Sequence, residues 1–188
     1  MKIALLSSSI VGSKTRNALA VVEENLKTTY PEAEVTLLDL KNLNLQFSDG
    51  RNYMDYTGDT GLLTKTLMDA EVIIIATPTY QASIPGTLKN IFDLLPQKAF
   101  YKKTVSFIIT AGSAKHFLVA ENQLKPILSY MKANLLPYYV FIEESDIVGN
   151  QIINDDVIFR LRNFVQDTMV LSKTYQAIWQ EEEEQYDF

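Results

Sequence analysis

The stretch SSSIVGSKTR, residues 7–16, combines side chains that could together hold an anion. Five of its first nine residues bear hydroxyl groups, and two basic residues follow the glycine. Backbone N–H groups at the start of a helix, with hydroxyls beside them, form a natural cradle for phosphate. A simpler alternative is that a serine or threonine here only caps a helix. Capping does not account for so many hydroxyls, so we predict a phosphate site.

Two further stretches combine rigid or small residues with free backbone groups. ATPTYQASIPGTLKNIFDLLP, residues 76–96, follows the apolar run 72–75, and TAGSAKH spans residues 110–116. Proline fixes the backbone, and small residues let a flat ring approach the chain closely. The tyrosine of the first stretch could pack against such a ring or simply fill a turn.

Composition limits what the chain could do with its own side chains. Its 188 residues include no cysteine and one histidine, which excludes disulfides, thiolate nucleophiles and His-rich metal sites. The net charge of −6 argues against nucleic-acid binding, which relies on clustered Lys and Arg. No metal site is expected, and redox chemistry would therefore need a bound organic cofactor.

Common nucleotide-binding motifs are absent. The GxxxxGK[ST] loop of nucleotide triphosphatases requires glycine where Ser8 and Ser13 stand. The GxGxxG fingerprint of dinucleotide-binding domains does not occur either. A phosphoacceptor receiver domain would need acidic residues at the ends of the first and third strands, and this sequence has none there.

Five β-branched or aromatic runs alternate with helical patterns, which predicts a parallel sheet covered by helices on both faces. The runs are 2–7, 34–39, 71–77, 104–110 and 138–142. They are almost continuously apolar, as strands buried on both faces must be. Ligands of open parallel sheets sit beyond the carboxyl ends of the strands. The loops after the first, third and fourth runs are therefore expected to form the site.

The length suits one domain, which we expect to span residues 1–180 and to be followed by an acidic tail, 181–188. The segment 41–61 lacks clear periodicity, and a loop of that length is typical of a site rim or a subunit interface. A broad apolar surface on the last helical pattern fits either the core or a second subunit. We expect a cytoplasmic protein, because no signal-peptide pattern or membrane-spanning run is found.

The 76–96 stretch resembles the P-x-Y-x-x-S-x-P-G-x-L-K-N-x-x-D signature of the NADPH-dependent FMN reductase family. Residues 7–20 resemble that family's phosphate loop, and residues 110–128 resemble its third flavin-side loop and the helix that follows it. Within the family, the sequence is most similar to flavin reductases that serve alkanesulfonate monooxygenases. The resemblance implies a three-layer, flavodoxin-like α/β fold with a five-stranded sheet in the order 2-1-3-4-5.

The same resemblance implies FMN and NADPH or NADH as cofactors. Ser8, Ser13 and Thr15 would bind the flavin phosphate, with Lys14 or Arg16 supplying charge. Pro78, Thr79 and Tyr80 would flank the flavin ring on one side, and Gly112 and Ser113 on the other. No catalytic side chain is expected, because hydride transfer between two cofactors needs no protein acid or base.

The function implied is NAD(P)H-dependent reduction of FMN, with free flavin or a quinone or azo compound as the acceptor. A flavodoxin-like electron carrier, which binds FMN without NAD(P)H turnover, is the alternative. Expected partners are the small-molecule substrates, further copies of the chain in a homodimer or homotetramer, and a flavin-dependent monooxygenase. Neither nucleic acid nor membrane is expected as a partner.

Overall fold

The computed structural model describes residues 1–186, and its centre is a parallel sheet. The strands are β1 (Lys2–Ser7), β2 (Glu34–Asp39), β3 (Val72–Pro78), β4 (Thr104–Ala111), β5 (Asn134–Leu135) and β6 (Val140–Glu143). The path β2-β1-β3-β4-β5 confirms the predicted order. The fifth position is shared by two short segments, because β5 and β6 both pair with β4.

Helices cover both faces of the sheet and complete three layers. They are α1 (Lys14–Thr29), α2 (Gly58–Asp69), α3 (Gly86–Leu94), α4 (Lys125–Tyr130) and α5 (Asp155–Tyr186). One apolar cluster includes Leu63 of α2, Leu88 of α3 and Leu128 of α4. The other cluster includes Leu19 of α1 and Phe164 of α5. The predicted fold class is therefore confirmed.

Burial on both faces explains the composition of β3, whose seven residues are all buried. Ile73 and Ile75 face the cluster beneath α2, α3 and α4, while Val72 and Ile74 face the cluster beneath α1 and α5. Successive side chains of a strand point to opposite faces. Each isoleucine buried in this way contributes about 1.5–3 kcal/mol to folding.

The last helix continues through the predicted domain end at residue 180. Residues 181–184 are exposed and helical, and Lys102 Nζ pairs with Glu183 Oε1 at 2.5 Å. Residues 187 and 188 of the expected acidic tail lie outside the described residues. The division of the chain at residue 180 stays a prediction.

The 41–61 segment packs on α3. Asn90 accepts a 2.9 Å hydrogen bond from the Ser48 amide and donates one of 3.0 Å to the Gln46 carbonyl. Phe47 remains 82% exposed. Within residues 1–186, no helix is both long and apolar enough to cross a membrane.

Candidate functional site

A cavity of about 320 Å³ opens at the carboxyl edge of the sheet, where β1, β3, β4 and β6 end. It lies where the parallel topology predicts a ligand site. Seven of the ten predicted site residues line it, namely Ser13, Lys14, Thr15, Pro78, Thr79, Tyr80 and Gly112. The three predicted loops are thus brought together around one space.

The other three predicted residues do not line the cavity. Ser8 is fully buried, its amide donates to the Ala76 carbonyl at 2.9 Å, and its hydroxyl has no hydrogen-bond partner. Ser113 follows Gly112 in extended backbone. Arg16 Nη2 donates instead to Glu23 Oε2 at 3.0 Å. Lys27 and Arg16 together hold the pKa of Glu23 below its usual value.

The N-terminus of α1 forms one wall, and its backbone N–H groups are left open to a ligand. Ser13 precedes the helix but makes no side-chain cap, and the first turn contains no acidic residue. The Ser13 hydroxyl donates instead to Asn150 Oδ1 at 3.0 Å. The simple capping alternative therefore does not describe this helix start, whose partial positive charge favours an anion.

Threonines join the loops at the floor of the cavity. The hydroxyls of Thr15 and Thr110 share a buried hydrogen bond of 2.8 Å, which links α1 to β4. The Thr79 amide donates to the Thr110 carbonyl at 3.0 Å, which extends the pairing of β3 with β4 by one residue. The Thr79 hydroxyl is buried and has no partner.

Tyr80 begins a tight turn. Its amide and carbonyl both bond to Ser83 at 3.0 Å, and the two central residues, Gln81 and Ala82, have φ values of 49° and 58°. Positive φ at both central positions defines a type I′ turn, which usually contains Asn or Gly there. Residues other than glycine are strained when φ is positive, so the surrounding structure must hold the turn in this conformation.

The Tyr80 side chain spans the gap to the first loop. Its hydroxyl lies 3.1 Å from Ser9 Oγ, which donates its only proton to the Val11 carbonyl at 2.6 Å. Tyr80 must therefore be the donor to Ser9. This bond and the turn fix the tyrosine ring at the cavity wall. Tyr80 therefore shapes the turn, and its contact with a flavin ring stays a prediction.

A fourth loop, which follows β6, also lines the cavity and was not anticipated. Glu143, the last residue of β6, lines the cavity, and the loop contributes Glu144, Ile147 and Gly149. Glu144 forms an ion pair with Lys14. The topology alone places this loop at the site, because β6 is parallel to β4 and ends at the same edge of the sheet. The residues that follow it, EESDIVGN, show no recognisable motif.

The cavity fits a flavin mononucleotide by the chemistry of its donors. Hydroxyls and free N–H groups at the start of α1 suit the phosphate, while Pro78, Tyr80 and Gly112 offer a rigid wall to a planar ring. Its volume is at the lower end of the usual 300–1,000 Å³ range for ligand pockets. Among the described residues, no group of three or more acidic or histidine side chains could hold a metal ion.

Comparison with known proteins places the chain in one family. The sequence profile described as "NADPH-dependent FMN reductase" matches residues 1–146. A protein of Geobacillus thermodenitrificans named "NAD(P)H-dependent FAD/FMN reductase" is 34% identical over 180 residues, which cover 96% of this chain and 91% of that protein. A protein of Escherichia coli named "FMN reductase (NADPH)" is 39% identical over 85 residues, or 45% of this chain and 44% of that protein.

A solved structure shows the same fold. An NADH:FMN oxidoreductase, EMOB, superimposes with a TM-score of 0.73 at 24% identity, covering 90% of this chain and 88% of its own. At that identity the likeness concerns the fold alone, whereas the profile and the Geobacillus relative extend over most of the chain. The chain belongs to the NADPH-dependent FMN reductase family.

Proposed function

We propose that the protein is an NAD(P)H-dependent FMN reductase that transfers a hydride from the nicotinamide to the flavin. The observation that carries the proposal is the cavity at the carboxyl edge of the sheet, where the uncapped start of α1 faces the rigid turn at Tyr80. A phosphate and a planar ring have suitable partners at opposite walls of the same space.

FMN, when bound, supplies the ring that accepts the hydride, and the chain supplies orientation and electrostatics. Ser13, Thr15 and the N–H groups of the first turn of α1 would hold the phosphate, with Lys14 beside them. Ser8, whose buried hydroxyl has no hydrogen-bond partner, and Arg16, which pairs with Glu23, belong to the same 7–16 stretch.

The ring would lie between the second and third loops. Pro78, Thr79 and Tyr80 line one edge of the cavity and Gly112 lines the other. Ser113, which follows Gly112, is proposed to contact the ring from that second edge. The amides of Thr79 and Tyr80 are already bonded to Thr110 and Ser83. N–H groups that stabilise negative charge on a reduced ring would therefore come from the Gly112 loop. Hydride transfer requires the two rings to be held within about 3.5 Å, which a rigid wall favours.

No side chain is assigned a proton-transfer role. The charged side chains that line the cavity are Lys14, Glu143 and Glu144, and Lys14 and Glu144 pair with each other. The hydride passes directly from the nicotinamide to the flavin, so the chain needs only to bind the two rings and orient them. The rates of NADPH and NADH oxidation, measured side by side, identify the preferred nucleotide.

The proposed acceptor is free flavin, or a quinone or azo compound that receives electrons from bound FMN. In support, a Bacillus sp. OY1-2 protein named "NADPH azoreductase" is 26% identical over 122 residues. A flavin-dependent monooxygenase is the proposed consumer when reduced flavin is released. A cytoplasmic location is proposed as well, in keeping with a chain without cysteine.

A homodimer or homotetramer is proposed from exposed apolar side chains. Phe47 is 82% exposed, Met54 69% and Phe159 61%. Contiguous apolar patches mark surfaces that associate. Phe47 and Met54 both lie in the 41–61 segment, whose length is typical of a site rim or a subunit interface. Sedimentation analysis should give a mass of two or four chains, and a monomer at micromolar concentration would contradict this part of the proposal.

The test is the oxidation of NADH and NADPH by the purified protein in air, with and without added FMN. We expect flavin-dependent loss of the nicotinamide absorbance band. A protein that binds FMN but oxidises neither nucleotide would be an electron carrier of the flavodoxin kind. Adding a quinone or an azo dye then identifies the acceptor by the increase in rate.

A further inference from the structure

Glu144 lines the cavity at the point where the first and third of the cavity's loops meet. Its carboxylate pairs with Lys14 at the start of α1, and Oε2 lies 3.9 Å from the position that a Cβ atom would take on Gly112. Glu144 therefore stands between the proposed phosphate loop and the proposed ring-binding loop, on the same side of the cavity as the open N–H groups of α1.

The backbone around Glu144 is held by Asp146. The Asp146 side chain accepts bonds from the Glu143 amide at 2.9 Å and from Asn154 Nδ2 at 2.7 Å. Its carbonyl accepts a further bond from the Ile153 amide at 2.9 Å. The carboxylate of Glu144 is thus presented to the cavity by a fixed loop.

Lys14 is the only cation among the described residues that line the cavity. Arg16, the other basic residue of the first loop, is engaged by Glu23. The Ser13 hydroxyl is also occupied, because it donates to Asn150 of the same fourth loop. With the Lys14–Glu144 pair, three groups expected to hold a phosphate are therefore bound to the chain's own acceptors.

We propose that Glu144 is a specificity-determining residue that competes with the flavin phosphate for Lys14. This inference rests on the proposed flavin site. A phosphate monoester carries a charge of about −1.5 to −2 at pH 7 and must displace or share the Glu144 partner. The competition weakens FMN binding but leaves riboflavin, which has no phosphate, unaffected.

The size of the effect follows from exposure. Side-chain exposure is 43% for Lys14 and 64% for Glu144, so the pair is screened by solvent. Exposed ion pairs of this kind change an equilibrium about two- to fivefold. Added salt should reduce the effect, because it screens charges at the cavity mouth. The exposure also means that Glu144→Gln should fold normally.

The experiment is an equilibrium titration of FMN and of riboflavin into wild-type protein and Glu144→Gln, followed by quenching of flavin fluorescence. We expect the variant to bind FMN about two- to fivefold more tightly and riboflavin equally well. The same substitution in a Lys14→Gln background should give no gain. Glu121→Gln is the control, since it removes one charge from an ion pair with Lys125 outside the cavity.

An unchanged ratio of FMN to riboflavin affinity in Glu144→Gln would overturn the inference. So would an equal gain in Glu121→Gln, or a gain that persists without Lys14. Wild-type protein that is folded, as judged by cooperative unfolding, and binds neither flavin would overturn the proposed function itself. The two failures are therefore distinguishable.

Discussion

The hydrogen bond between Thr15 and Thr110 joins the first turn of α1 to the end of β4 beneath the proposed phosphate site. Both residues are at most 5% exposed. A buried hydroxyl that loses its partner keeps the cost of its desolvation. This bond therefore fixes the helix start that faces the cavity, and its removal should be measurable in the stability of the whole chain.

Thr15→Val should lower the free energy of unfolding by about 1–3 kcal/mol, because the Thr110 hydroxyl is left without a partner. Urea denaturation followed by the fluorescence of the single tryptophan, Trp179, measures it. The double variant Thr15→Val/Thr110→Val should cost less than the sum of the single variants. Additive losses would mean that the two hydroxyls do not stabilise each other.

At the scale of elements, the turn that begins at Tyr80 holds the ring-binding wall in a strained shape. Gln81 and Ala82 have positive φ values although neither is glycine. Alanine in this region is about 1–2 kcal/mol less favourable than in its ordinary conformations. The strain is retained because the turn is closed by both backbone bonds between Tyr80 and Ser83.

Ala82→Gly should raise the free energy of unfolding by about 0.5–1 kcal/mol, since glycine adopts positive φ without a steric penalty. Ala177→Gly is the matched control within α5, where the same change should destabilise the chain by about 1 kcal/mol. Thermal unfolding of both variants checks the signs. Destabilisation in both would show that the turn is not strained.

The elements also show how far the sequence could predict this structure. The runs at 2–7 and 34–39 coincide with β1 and β2, because apolar β-branched runs between helical patterns leave little choice. The predicted run 138–142 begins two residues before β6 and ends one residue before the strand does, and the sequence pattern does not indicate the two-residue β5. Pro137 cannot donate a ladder hydrogen bond, and it falls within the break between β5 and β6.

The site residues were predictable where their loops carried recognisable residue types. Loops after β1, β3 and β4 carried recognisable residue types, and seven of the ten candidates line the cavity. Glu144 was missed because its loop has no motif and reaches the cavity only through the pairing of β6 with β4. Arg16 was placed in the site by its charge, but Glu23, two helical turns later, faces it across the surface of α1.

At the scale of the whole molecule, Lys103 ties the end of α2 to the start of β4. Its amine donates to the Leu67 carbonyl at 3.0 Å and also to the Met68 carbonyl. Burial lowers the pKa of Lys103 to about 8, although Asp69 and Glu71 oppose the change. The folded chain therefore releases this proton at a lower pH than the unfolded chain does.

Stability should consequently rise with pH between about 8 and 10.5, the usual lysine value, because the unfolded chain then binds the extra proton. The rise from one group is at most about 1.4 kcal/mol per pH unit. Lys103→Met should remove it, which urea denaturation across this range would show. Lys65→Met controls for the loss of one charge at an exposed position. A difference between wild type and Lys103→Met that is independent of pH would contradict the assignment.

The most direct test of the central claim is anaerobic reduction of FMN. NADPH or NADH is mixed with FMN in the presence of the protein, and the visible absorbance of oxidised flavin is followed without oxygen to restore it. We predict bleaching at a rate proportional to protein concentration, and far faster than without protein. Flavin that binds to the protein but stays oxidised with both nucleotides would contradict the account.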